Sequence, residues 1–370
     1  MDHYIPLTLR VPLALRIASP WLFDELSLLL ASILSTGKYQ PQRAEIDAAR
    51  SSGFMQDVDP QRLQQVVEIV AGQFADEIAE EFLPRVRALL EAEKEEEPAV
   101  PSADETKEDL GAFVEANFQG SKSLPKEQVQ RIVAQVADRA QLIAQKYKVP
   151  PQTVTKAARL SFYDYIVFYD DSKSMRNDSR IPTLKATVRG LFSAARLLNA
   201  DAKFSVIPFA DKAEWENVRT EGELEEIISQ MKFHTSARVA EPLAKRVLQP
   251  IAAKVSDGES LHPTVVVVVT DGGIGVTVSK FGKMVSQFKS YLVEQGYDGP
   301  TVLFLVCRVG NDDEAAESLR QINETPSIQE VIYYSNDSLD LKLETLQDPD
   351  AYVGEVIADL VRAMELQAKK

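Results

Sequence analysis

Apolar positions along this chain change rhythm twice, and each change marks a different kind of architecture. Residues 1–36 are apolar but broken by Arg10, Arg16, Asp24 and Glu25, and their longest uncharged stretch, 26–37, is too short to span a bilayer. Asp2 stands where a secretory leader would carry positive charge, and no small-residue cleavage site follows a clean apolar block. The pattern reads as amphipathic helices. Asp59 and Pro60 form an N-cap and first-turn pair. From there Leu63, Val66, Val67, Val70, Phe74, Ile78 and Phe82 recur mostly at three- and four-residue steps, one face of a helix. Residues 91–108 are acidic and hold Pro98 and Pro101, which is linker chemistry. Further helices are expected at 107–118, 126–147 and 153–158. The implied division is a helical region (1–90), an acidic linker (91–108), a helical segment (109–160) and a final domain (161–370).

After Ser161 the rhythm shifts again. Aromatic and β-branched runs at 162–169, 202–209, 264–269, 301–309 and 330–334 predict strands, with a short edge strand at 213–218. Thr264 followed by five valines is the plainest of them. Between the strands lie helical patterns at 182–200, 221–231, 239–255, 279–295 and 312–323, with a terminal helix at 349–366. Strands that are continuously apolar and alternate with helices imply a parallel sheet covered on both faces. The expected fold is therefore a doubly wound, mostly parallel α/β domain preceded by an all-helical region.

Composition narrows the function. The 370 residues are 45% hydrophobic and 26% charged, enough for a large core, and carry a formal net charge of −15. That charge argues against nucleic acid and against an anionic membrane face as the main ligand. A single cysteine, Cys307, excludes an intramolecular disulfide. A soluble, cytoplasmic protein without a transmembrane segment is expected.

In a doubly wound sheet ligands bind beyond the carboxyl ends of the strands, where strand order reverses. The first strand ends Asp170-Asp171-Ser172-Lys173-Ser174-Met175, the valine strand ends Thr270-Asp271-Gly272, and between them runs the loop Lys232-Phe233-His234-Thr235-Ser236. Asp-x-Ser-x-Ser-Met after a first strand, a loop threonine and Thr-Asp-Gly after a later strand resemble the metal-ion-dependent adhesion site of von Willebrand factor type A domains, of the intracellular kind. The resemblance covers about 200 residues, from Phe162 onward. It implies Mg²⁺, with Mn²⁺ and Ca²⁺ as alternatives, held by Asp170, Ser172, Ser174, Thr235 and Asp271, Ser236 being a second candidate for the threonine's place. It implies capture of a partner protein's Asp or Glu carboxylate without catalysis, and it leaves self-association open.

The residues themselves fit such an ion. Mg²⁺ takes about six oxygens at roughly 2.1 Å, and alternate residues of a tight turn can aim two hydroxyls at one point. Two other classes stay open: a Mg²⁺-dependent phosphotransferase of haloacid-dehalogenase or receiver type, and a scaffold with a vestigial site. The first lacks the second acid, since Ser172 stands at that position, and has no lysine after the later strand, where Arg308 and Val309 stand. Gly272, Gly273 and Gly275 do not complete a dinucleotide fingerprint. Cys307 reads as a core thiol, His3, His234 and His262 show no zinc spacing, and Asp312 and Asp313 read as helix-capping acids.

Overall fold

The computed structural model describes residues 100–118, 123–236, 238–272, 278–297 and 299–368. The helices expected within 1–90, the start of the linker, and Gly273 and Gly275 lie outside them. The chain divides into two compact units, Met1–Ala99 and Val100–Lys370, and the second is an α/β unit, mostly helical, around one five-stranded parallel sheet.

Four helices come first: α1 (Ala103–Phe118), α2 (Lys126–Ala137), α3 (Ala140–Tyr147) and α4 (Pro151–Arg159). The first begins inside the stretch read as linker, because Ser102 caps it: Glu105 N donates to Ser102 Oγ, while Ser102 N donates back to Glu105 Oε2. Residues 126–147 form two helices with a turn at Asp138 and Arg139, rather than one.

The sheet holds β1 (Asp164–Tyr169), β2 (Phe204–Pro208), β3 (Thr264–Thr270), β4 (Val302–Arg308) and β5 (Tyr333–Tyr334) in the order β2-β1-β3-β4-β5. All four pairings are parallel. The helices α5 (Arg180–Leu198), α6 (Glu221–Gln230), α7 (Ala240–Leu243), α8 (Gln249–Ser256), α9 (Val278–Glu294), α10 (Asp313–Glu324), α11 (Pro326–Gln329), α12 (Leu339–Leu346) and α13 (Pro349–Gln367) connect and cover it. A π-helical turn, Ala244–Leu248, joins α7 to α8.

Alternate valines of β3 feed two cores. Val265, Val267 and Val269 meet α5 and α13, and Val266 and Val268 face the side covered by α8 and α9. All five are fully buried, each worth about 1.5–3 kcal/mol of transfer energy. Helices α1–α4 share the first of these cores: Leu110, Ile132, Tyr147 and Val154 pack in one cluster with Leu360 and Met364 of α13. There Gly354 lets α13 approach so closely that a Cβ would collide with the Tyr147 carbonyl oxygen.

Two expected strands differ. Residues 213–218 form no strand; Trp215 makes an isolated antiparallel bridge with Val206, and Val218 N donates to Phe204 O. Residues 330–332 remain in a helical turn, with Glu330 N donating to Pro326 O and Ile332 N to Ile328 O, so β5 keeps two residues. At the start of β4 the side chain of Gln367 takes the missing strand's place: Phe304 N donates to its Oε1 at 3.1 Å, and its Nε2 donates to Phe304 O at 3.0 Å. Among the described residues no helix is long and apolar enough to cross a membrane.

Candidate functional site

The chain leaves β1 for β2 on one side and returns as β3 on the other, so strand order reverses between β1 and β3. Asp170 follows β1 and Asp271 follows β3, which sets both carboxylates at that crevice.

Asp170 extends β1 by one rung, its N–H donating to Val269 O at 2.8 Å. Its side chain turns back into the protein and is 3% exposed. Oδ1 accepts from Ser172 N at 2.8 Å and Oδ2 from Thr270 Oγ1 at 2.9 Å. Burial pushes its carboxyl up to about 6, with the hydrogen bonds from Ser172 and Thr270 pulling down and the charge of Asp271 pushing further up.

Ser172 begins a 3₁₀ turn, Lys173–Arg176, that brings the Ser172 and Ser174 hydroxyl oxygens within 2.9 Å of each other. Neighbouring ligands of an octahedral Mg²⁺ lie about 3 Å apart. The two hydroxyls are hydrogen-bonded to each other at a separation that also matches one octahedral edge, and the donor chemistry of neutral hydroxyls beside two carboxylates fits a hard cation.

Thr235 reaches the same place through Asp171. That residue is fully buried, and its carboxylate accepts from Ala210 N (3.1 Å), Asp211 N (2.7 Å) and Thr235 Oγ1 (2.9 Å). Its carbonyl accepts from His234 N and Thr235 N, while Lys173 N donates to Thr235 O at 3.2 Å. Ser172 and Thr235 thus pair as an isolated parallel bridge. With its proton given to Asp171, the Thr235 oxygen keeps its lone pairs for another partner. Ser236 is exposed beside it.

Asp271 is 7% exposed and already has a cation: Arg180 Nη1 donates to its Oδ2 at 2.6 Å and to Ser174 O at 3.3 Å. Arg180 opens α5 and lies under Gly310, where a Cβ would strike the guanidinium. Gly310 takes φ +82°, a conformation cheap only for glycine. Asp340 holds that arrangement: Oδ2 accepts from Gly310 N (2.5 Å), and Oδ1 from Ser179 Oγ and Thr183 Oγ1 (both 2.8 Å).

The five residues expected at the site thus gather at one crevice. Three organising groups lie outside that set: Asp171 and Thr270, which stand in the quoted motifs without an assigned role, and Arg180. His234 is half exposed, with Nε2 3.8 Å from Asp211 Oδ2. Cys307 is buried in the core, and Asp312 caps α10, accepting from Ala315 N at 2.8 Å. Among the described residues no group of three or more His, Cys, Asp and Glu side chains could hold a metal; the candidate set is two carboxylates and three hydroxyls.

No protein-family model matches the chain, and no curated protein matches it in sequence. Among solved structures it is similar to proximal thread matrix protein 1 from the mussel byssus, at 16% identity and a TM-score of 0.36. That match covers 54% of this chain and 47% of the other, and at this level it carries no argument about fold or function.

Proposed function

We propose that the crevice between β1 and β3 is a metal-ion-dependent adhesion site of the von Willebrand factor A type, and that the chain is a non-enzymatic module that captures an acidic residue of a partner protein. The observation that carries this reading is the Ser172–Ser174 hydroxyl pair, 2.9 Å apart, beside Asp170 at the reversal of strand order. Asp170, Ser172, Ser174, Thr235 and Asp271 would hold Mg²⁺, and the ion would supply a Lewis-acidic position that a partner carboxylate completes. Hydroxyls as close ligands leave the ion's charge less neutralised than carboxylates would, which favours an incoming anion. The orienting bonds belong to the chain: Thr270 and Ser172 N aim Asp170, and Asp171 aims Thr235.

The test is calorimetric titration of Mg²⁺ into the chelator-stripped 370-residue chain. One binding event is expected, and it disappears in Asp170→Ala while the circular dichroism spectrum stays unchanged. Absence of binding by the wild type, or equal binding by the variant, overturns the reading.

A further inference from the structure

The charge around this crevice is not the charge of the chain. Against a net −15, the loops on its β1 and β2 side present Lys173, Arg176, Lys212, Lys232 and Arg238. All five are exposed, and none forms an ion pair with another described residue. Elsewhere many cations are spent on neighbours, as in Arg159–Asp109, Arg189–Glu225 and Lys245–Glu241.

The loops carrying the five are bound together. Asp171 accepts from Ala210 N and Asp211 N, next to Lys212, and from Thr235, which lies between Lys232 and Arg238. Lys173 N donates to Thr235 O. The residue that assembles the crevice therefore also gathers the cations on one flank of it. Of the carboxylates on these loops, Glu214 pairs with Arg246, Asp211 lies 3.8 Å from His234, and Asp178, largely exposed, lies 3.9 Å from Arg180, so the five cations outnumber the acids beside them. Glu216 is exposed. On the opposite flank, after β4, Asp312, Asp313 and Glu314 are exposed, so the mouth is positive on one side and negative on the other.

The geometry points to a partner segment that carries a run of carboxylates: one acid enters the crevice and its neighbours lie along the flank formed by Lys173, Arg176, Lys212, Lys232 and Arg238. This rests on the adhesion-site reading for the anchoring acid and adds the chemistry of the segment around it. Exposed cations of this kind raise the association rate and select partners, and their effect is screened by salt.

The experiment uses the whole 370-residue chain with Mg²⁺ and two labelled peptides of equal length, one with a single glutamate in a neutral sequence and one with a run of glutamates. Fluorescence anisotropy is expected to show the run binding about tenfold more tightly at low ionic strength, a preference that shrinks as salt shortens the screening length. The variant Lys173→Gln/Arg176→Gln/Lys232→Gln, all at exposed positions, is expected to lose the preference while keeping its Mg²⁺ binding heat. Equal affinity for both peptides overturns the inference and leaves the adhesion site standing. A preference for the run that ignores chelator supports the flank and overturns the metal reading. Displacement of the run by tripolyphosphate at equal charge overturns the assignment to a peptide, since a generic anion surface would do the same.

Discussion

Arg180 and Asp271, 91 positions apart in sequence, form an ion pair of 2.6 Å inside the crevice, with their side chains 11% and 6% exposed. A guanidinium on one of the two carboxylates would repel a divalent ion bound beside it, so under the proposed reading the arginine would oppose the metal.

Replacing it tests that opposition. Arg180→Met leaves Asp271 buried without a counter-charge and is expected to cost about 3 kcal/mol in chelator, the usual penalty for breaking a buried pair. Mg²⁺ is expected to restore most of that loss and to bind about tenfold more tightly than in the wild type. Thermal unfolding with and without Mg²⁺ checks both; a loss that Mg²⁺ does not repair would sink the idea.

Adjacent aspartates should behave oppositely. Asp171 accepts three hydrogen bonds that hold separate loops, and charge-assisted bonds contribute about 1.5–3 kcal/mol each. Asp171→Ala is expected to destabilise the fold by roughly 3 kcal/mol or more. Asp170→Asn keeps the side chain's shape and removes a buried negative charge, so its stability in chelator should stay within about 1 kcal/mol of wild type. Urea unfolding of the two variants separates the aspartate that holds the loops together from the one that does not.

Lys289 gives the pH dependence. Its Nζ donates to Gln367 Oε1 at 2.8 Å and lies over the Phe304 ring, and burial pushes the ammonium down to about 7. An unfolded lysine titrates near 10.4, so between pH 7 and about 10 the unfolded chain binds more protons than the folded one and stability rises with pH. Below pH 7 both states are protonated and the folded protein bears the full cost of the buried charge. Lys289→Met should therefore be more stable than wild type at pH 6. Its advantage should shrink as pH climbs through 7, at up to about 1.4 kcal/mol per unit. Denaturation midpoints for the pair across that range decide the matter, and a constant difference would refute it.

Gly354→Ala probes the seam between α13 and α3. The added methyl meets the Tyr147 carbonyl, which cannot yield as a side chain would. Overpacking of this kind costs about 1–3 kcal/mol. A midpoint unchanged in urea would mean that the two helices separate freely.

The sheet was readable from sequence because its strands are buried on both faces and hence continuously apolar, as in the valines of β3. The crevice was readable for a related reason, since the residues following such strands must lie on one rim. What failed had no such signature. Residues 213–218 alternate Glu214, Trp215 and Glu216 like a strand, but Asn217 turns to φ +58° and Trp215 forms no more than an isolated bridge. Helix α12 escaped notice because Leu339, Leu341 and Leu343 alternate with charged residues, whereas Ser338 caps a helix there by accepting from Leu341 N. Arg180 could not be assigned at all: its partner is fixed by where α5 begins and by Gly310 after β4, which only the folded chain brings together.

The rungs that Gln367 donates to and accepts from Phe304 bear on behaviour outside the single molecule. With β5 only two residues long, the beginning of β4 would otherwise offer free amide and carbonyl groups to any passing strand. On the opposite margin Val206 exchanges both bonds with Trp215, and Val218 N donates to Phe204 O. The edge strand β5 is closed in the same way by Asn323, whose Nδ2 donates to Tyr334 O and whose Oδ1 accepts from Tyr334 N, so side chains stop one margin and a loop the other. An open sheet so finished offers few free backbone groups for chain-to-chain growth, and Gln367→Ala would leave the amide and carbonyl of Phe304, itself 1% exposed, buried without these partners.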